Sequence, residues 1–288
     1  MPIPKIFHIG LMKTGTTFLQ NVLSDDDRID FFCQSRIINT NNYYSKKYKL
    51  NSKKLYSIES DENIIRFTGN MCGLETSLNR IIKDNPDAKI VLTIREQKQL
   101  LISAYKHLIN RTNSSLSFQE FIHSHQGMLY LDSLNYKNLI ERILNFIPIN
   151  NIIIIPFELV HSDNYISTFY KKVFNLSTPN FNKKNIDTNK NMNDCFILKK
   201  RKLNSKLHFI KNRGLSNIEN NILNLRLKIY NKIHKKKNTK LINWSINNKK
   251  MEINLEKQWR NSNAFIENLF NIQLQQLGYK IWINQNWY

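Results

Sequence analysis

The first half of the chain alternates short β-branched runs with amphipathic stretches, the pattern of an α/β domain built on a mainly parallel sheet. Three runs read as buried central strands: Lys5 to Ile9, Lys89 to Ile94 and Ile152 to Phe157. Each is short, apolar and bounded by turn or polar residues. Helical periodicity predicts helices over Thr16 to Leu23, Glu75 to Lys83, Gln97 to Ile109 and Ser133 to Phe146. Ser117 and Glu120 form a capping-box pair ahead of the segment FQEFIHSH, and Asp163 opens a further helix through Phe174.

The pattern changes at about Pro179. Strand signals fade and a long Asn- and Lys-rich helical stretch follows, in which Ile218, Ile222, Leu225 and Ile229 recur at amphipathic spacing. A last helix is predicted over Asn263 to Leu277, with Gly278 as its stop. No repeat and no low-complexity linker interrupts the chain. A single unit spanning 1–288 is therefore expected, with an α/β core over 1–178 and a mainly helical extension over 179–288 packed on it.

Charge sharpens this picture. The 288 residues hold 43 Lys and Arg against 22 Asp and Glu, a formal charge of +21, so the surface attracts anions. Most of the excess sits between Lys199 and Lys250, where 16 Lys or Arg face a single acid, Glu219. Aromatic residues at 11% and hydrophobic residues at 41% exclude a disordered polyelectrolyte. Cys33, Cys72 and Cys195 are far apart and suggest neither a disulfide framework nor a zinc site. With no apolar stretch long enough to span a bilayer, a cytoplasmic protein is expected, soluble or peripheral at a membrane.

The residues richest in chemistry are Gly10 to Thr17, GLMKTGTT, between the first predicted strand and the first predicted helix. A glycine-containing turn entering a helix N-terminus directs backbone N–H groups and the positive end of the helix dipole at one point. Lys13 adds a full charge there, Thr14, Thr16 and Thr17 add hydroxyls, and Gly15 permits close backbone approach. The spacing of Gly10 and Gly15 matches GxxxxGK[ST], but Thr16 follows the second glycine and the lysine stands inside the loop. That shift weakens a triphosphatase reading. A loop lysine suits stabilisation of charge on a single leaving phosphate.

A second anion site is suggested by AKIVLTIREQKQLLISAYKHL, with Arg95 at a strand end and Ser103 on the following helix. Arginine beside a helix bearing Ser and Tyr can form a bidentate phosphate pocket or a structural salt bridge. HIGLMKTGTTFLQ resembles the donor loop of the sulfotransferase family that uses 3′-phosphoadenosine 5′-phosphosulfate, and is most similar to bacterial carbohydrate-type members. The resemblance implies a P-loop-containing three-layer α/β fold with a basic helical C-terminal half. It implies that Lys13, Thr14, Gly15, Thr16 and Thr17 bind the phosphosulfate end, with Lys13 assisting departure. It further implies that Arg95 and Ser103 hold the donor's 3′-phosphate. Phe157, Glu158 and Leu159 resemble a corner of the family, and Asn261 to Tyr279 its closing helix, in which Ser262 and Asn263 serve as scaffold or as ligand contacts. The implied reaction moves a sulfuryl group to a hydroxyl or amino group of a saccharide or glycolipid, without a metal.

Such a transfer needs a base near the acceptor oxygen. No histidine lies between Ile9 and Leu92, and FTGNMCG carries Asn70 where carbohydrate-type relatives tend to have an acid. Glu59, Asp61, Glu62, Glu75, Asp25 to Asp27 and Asp30 are the acids available in the region. Asp25 to Asp27 read as a solvated helix end, and His107 lies one turn beyond Ser103. His8, inside the first strand, reads as packed or hydrogen-bonded. His123 and His125 lack the spacing of a helical zinc pair. Two alternatives stand beside the transferase: a P-loop small-molecule kinase, and a non-catalytic protein for nucleic acid or another polyanion. Nucleic acid is the weaker of these, because 199–250 carries no recognised binding motif. An anionic polysaccharide or membrane surface fits the same charge.

Overall fold

The computed structural model describes residues 5–33, 53–62, 72–112, 114–161, 165–179, 194–211, 246 and 248–281. Among these residues, five parallel strands form one sheet in the order β2-β3-β1-β4-β5: β1 (Lys5–His8), β2 (Ile29–Cys33), β3 (Tyr56–Ser60), β4 (Lys89–Ile94) and β5 (Ile152–Pro156). Parallel strands need crossovers, and helices supply them. They are α1 (Thr16–Ser24), α2 (Cys72–Asp84), α3 (Gln97–Arg111), α4 (Phe118–His123), α5 (His125–Ser133), α6 (Tyr136–Leu144), α7 (Tyr165–Phe174), α8 (Asp194–Lys211) and α9 (Lys249–Phe270).

Side chains alternate across each strand, so the sheet has two buried faces. Phe7, Ile90, Leu92 and Ile154 point into the larger core with Leu100, Tyr105, Phe121, Ile140 and Trp259. Ile6, Val91 and Ile155 point into the smaller one with Leu19, Phe169 and Phe174. Three layers result, with α1 and α7 covering one face and α3 to α6 and α9 the other. The chain passes from β3 to β4 across β1, so the switch in strand order falls at the C-terminal end of β1, where an open α/β sheet presents its crevice.

The expected strands are present nearly to the residue, but the third, β5, is not central: among the described residues it pairs with β4 alone and forms an edge, its faces covered by packing rather than by a further strand. The helices differ in detail: α3 runs on to Arg111, α6 starts at Tyr136 after a separate α5, and the closing helix starts early, at Lys249, and ends at Phe270. Asn271 (φ 51°) ends it in the left-handed region, and Gly278 (φ 88°) ends the short 3-10 turn that follows. Strands β2 and β3 were not foreseen, because β2 carries Asp30 and β3 carries Ser57 and Glu59. The capping box of α4 is complete: Ser117 Oγ accepts from Glu120 N and Glu120 Oε2 accepts from Ser117 N. The amphipathic pattern at Ile218 to Ile229 lies outside the described residues.

Candidate active site

The segment between β1 and α1 closes on itself before it meets anything else. Thr14 N and Thr14 Oγ1 both donate to the Leu11 carbonyl, at 3.3 Å and 2.6 Å, making a tight turn. Lys13 takes φ 74° and Gly15 φ 80°. Gly15 is the N-cap of α1 and offers no side chain to its first turn, so the leading amides and the positive end of the helix are open to an anion from outside. A left-handed lysine costs about 1 kcal/mol, and the fold fixes it: Arg95 Nη1 donates to the Lys13 carbonyl at 3.0 Å.

Arg95 leaves β4 with its backbone clamped by Tyr136, whose hydroxyl accepts from Arg95 N at 3.2 Å and donates to Arg95 O. Its guanidinium carbon lies 4.5 Å from the centre of the Phe157 ring. Glu158 then ties three elements. Its Oε1 accepts from Glu96 N at 2.8 Å and its Oε2 from Tyr279 OH at 2.6 Å. Burial pushes the Glu158 carboxyl up, opposed by these two donors and by the charge on Arg95. Glu96 in turn caps α3, accepting from Lys98 N and Gln99 N.

The loop's three hydroxyls have three different fates. Thr14 is fully buried and bonds inward; Thr16 Oγ1 donates to Glu62 Oε2 at 2.9 Å; Thr17 is exposed. Glu62 follows β3 and stands close enough for its charge to act on Lys13 and on the buried Tyr130 of α5. Burial lowers the Lys13 ammonium below the ordinary lysine range, with Glu62 opposing and Arg111 and Arg95 reinforcing the shift. Among the described residues, the charges that act on Lys13 are thus two guanidiniums, Arg95 before α3 and Arg111 at its end, and the Glu62 carboxylate that opposes them.

Ser103 and His107 are half-buried one turn apart on α3, and Arg111 follows at the same spacing. Burial, with the charges of Lys13 and Arg111, pushes the His107 imidazole down to about 4. Several other candidates are engaged elsewhere. Glu75 pairs with Arg142 at 2.5 Å, and Asp26 with Arg28 at 2.8 Å. Ser262 Oγ accepts from Lys137 N, while Asn263 exchanges amide hydrogen bonds with Gln97 and donates to Lys280 O. Both are scaffold in this geometry. Asn70 lies outside the described residues. Among those described, no three His, Cys, Asp or Glu side chains converge as metal ligands, and no helix is long and apolar enough to cross a membrane.

The fold has a counterpart of known structure. A sulfotransferase from Alicyclobacillus acidocaldarius superposes with a TM-score of 0.50 at 19% identity, over 65% of this chain and 87% of its own. The two share a fold. Mouse sulfotransferase SULT7A1, solved with PAP, gives a TM-score of 0.39 at 15% identity, over 70% of this chain and 64% of its own. No protein-family profile and no curated protein sequence matches the chain. The α/β fold with its parallel sheet and P-loop-like segment is therefore established by structure rather than by sequence similarity.

The sequence named the loop and Arg95 but left Glu62 among several acids. Its selection needs the contact with Thr16, which spans 46 positions. Glu158, read only as part of a corner, is the residue that joins β5, α3 and the C-terminal segment.

Proposed function

We propose that the protein transfers a sulfuryl group from 3′-phosphoadenosine 5′-phosphosulfate to a hydroxyl or amino group of a saccharide or glycolipid. The observation that carries the reading is the convergence of opposite charges at the N-terminus of α1: Glu62, held by the loop hydroxyl of Thr16, is near enough for its charge to act on Lys13, whose carbonyl is held by Arg95. The loop amides and Thr17 bind the phosphosulfate, and Arg95 with Ser103 receives the 3′-phosphate. Lys13 neutralises charge that grows on the bridging phosphate oxygen as its bond to sulfur breaks. Glu62 takes the acceptor proton as the new bond to sulfur forms in line.

The chemistry needs no metal, since the displaced charge falls on an oxygen within reach of a lysine. The formal charge of +21 supports an acceptor that is itself anionic, or one presented on an anionic surface. Calorimetry with 3′-phosphoadenosine 5′-phosphate is expected to show saturable binding, and labelled donor to mark a saccharide in an acceptor panel. Folded protein that binds ATP with magnesium but not the adenosine bisphosphate would replace this reading with the kinase one.

A further inference from the structure

Beneath the loop lies a chain of buried polar side chains that the transfer itself does not use. His8, Ser60 and Thr93 sit at the C-terminal ends of the three central strands, all fully buried and on the sheet face covered by α1 and α7. His8 Nδ1 is 2.8 Å from Ser60 Oγ, and His8 Nε2 is 3.3 Å from Thr93 Oγ1. Thr93 Oγ1 is 2.8 Å from Thr14 Oγ1, and Gln20 Nε2 is 3.0 Å from Ser60 Oγ.

Proton counting fixes every direction in this chain. A hydroxyl carries one hydrogen, and that of Thr14 goes to the Leu11 carbonyl, which can only accept. Thr14 therefore accepts from Thr93. Thr93, having given its hydrogen, accepts from His8 Nε2–H. A neutral ring protonated at Nε2 leaves Nδ1 as an acceptor, so Ser60 donates to it and must accept from the Gln20 amide. That is the orientation Gln20 takes independently at the far end. The run is complete from Gln20 on α1, through three strands, to the loop carbonyl at Leu11.

Gly10 makes room for it. A Cβ at this position would stand 2.2 Å from Thr93 Oγ1 and 3.0 Å from Thr14 Oγ1. The first glycine of the motif is required for the hydroxyl pair that passes beside it, in addition to any ligand outside.

We propose that His8 is a positioning residue: as its Nε2–H tautomer it orients Thr93 and, through Thr93, holds Thr14 and the anion-binding turn in their ligand-ready form. The proposal rests on the transferase reading only for the choice of ligand probe. Nitrogen-15 NMR of the full chain, with His8 assigned by its loss in His8→Asn, is expected to show a single Nε2–H tautomer at neutral pH. Thr93→Val, isosteric but without the hydroxyl, is expected to raise the Kd for 3′-phosphoadenosine 5′-phosphate about tenfold, the worth of one hydrogen bond, and to speed amide exchange at Lys13 to Thr16. Thr93→Ser is expected to restore both. An Nδ1–H ring would overturn the proposal, as would a Thr93→Val protein that melts earlier yet keeps its loop exchange and affinity. If the wild-type chain fails to bind the probe, the donor assignment falls, and the tautomer and exchange readouts still decide the role of His8.

Discussion

At the residue scale the proposed site rests on two side chains, Lys13 and Glu62, whose charges act on each other but whose supports differ. Lys13 has a left-handed backbone and a half-buried side chain, so truncation removes charge and little packing. Lys13→Ala is expected to lower transfer at least 100-fold, the scale of a lost charge-stabilising group, with a melting temperature close to that of the wild type. An equal loss of both would remove the lysine from the chemistry. Glu62→Gln keeps the shape and the bond from Thr16, so donor-product affinity is expected to hold while the transfer rate falls about 100-fold or more. Weakened product binding instead would make Glu62 a brace for the loop. The presence of a lysine, three threonines and a glycine between strand and helix is legible in the sequence. Which hydroxyl faces where is not, because Thr14, Thr16 and Thr17 differ only in what later segments bring to them.

At the scale of elements, the corner after β5 decides whether the ends of the fold meet. Glu158 receives Glu96 N from the start of α3 and Tyr279 OH from the segment beyond α9, while Asn263 of α9 bonds Gln97 of α3 and Lys280 O. Glu158→Ala would leave a backbone N–H and a buried phenol unpartnered. A loss of about 2–3 kcal/mol in urea unfolding is expected, with earlier proteolysis near Tyr279; an unchanged midpoint would show the corner to be incidental. Strands β1, β4 and β5 were legible because apolar residues dominate both of their faces. Strands β2 and β3 were not, since half-buried Asp30 in β2 and buried Ser57, Glu59 and Ser60 in β3 break the hydrophobic run.

At the scale of the molecule, burial of histidine links folding to pH. Burial depresses His8 from 6.5 to about 4. The unfolded chain therefore takes up its proton first as pH falls, so this stability is full above about 6.5 and drains away toward 4. Between pH 7 and 5 the loss from His8 amounts to about 2 kcal/mol. His107 is lowered in the same direction, and the net charge of +21 adds repulsion as further groups protonate. Urea unfolding at pH 7 and 5 is expected to show the decline, with a shallower one in His8→Gln. A flat profile would mean that the ring is not held neutral.

By itself the sequence determined the local grammar of this protein: which apolar runs are strands, where a glycine- and threonine-bearing loop interrupts them, and how large the excess of positive charge is. These depend on side-chain type and short spacing, which neighbours in the chain fix directly. Only the tertiary structure decided that Thr16 bonds Glu62, that Arg95 grips the loop backbone, and that His8 reads the position of Thr14 through Thr93. Those pairings join residues 46 to 85 positions apart, and parallel strand order, set by packing on both faces of the sheet, is what brings them within a hydrogen bond.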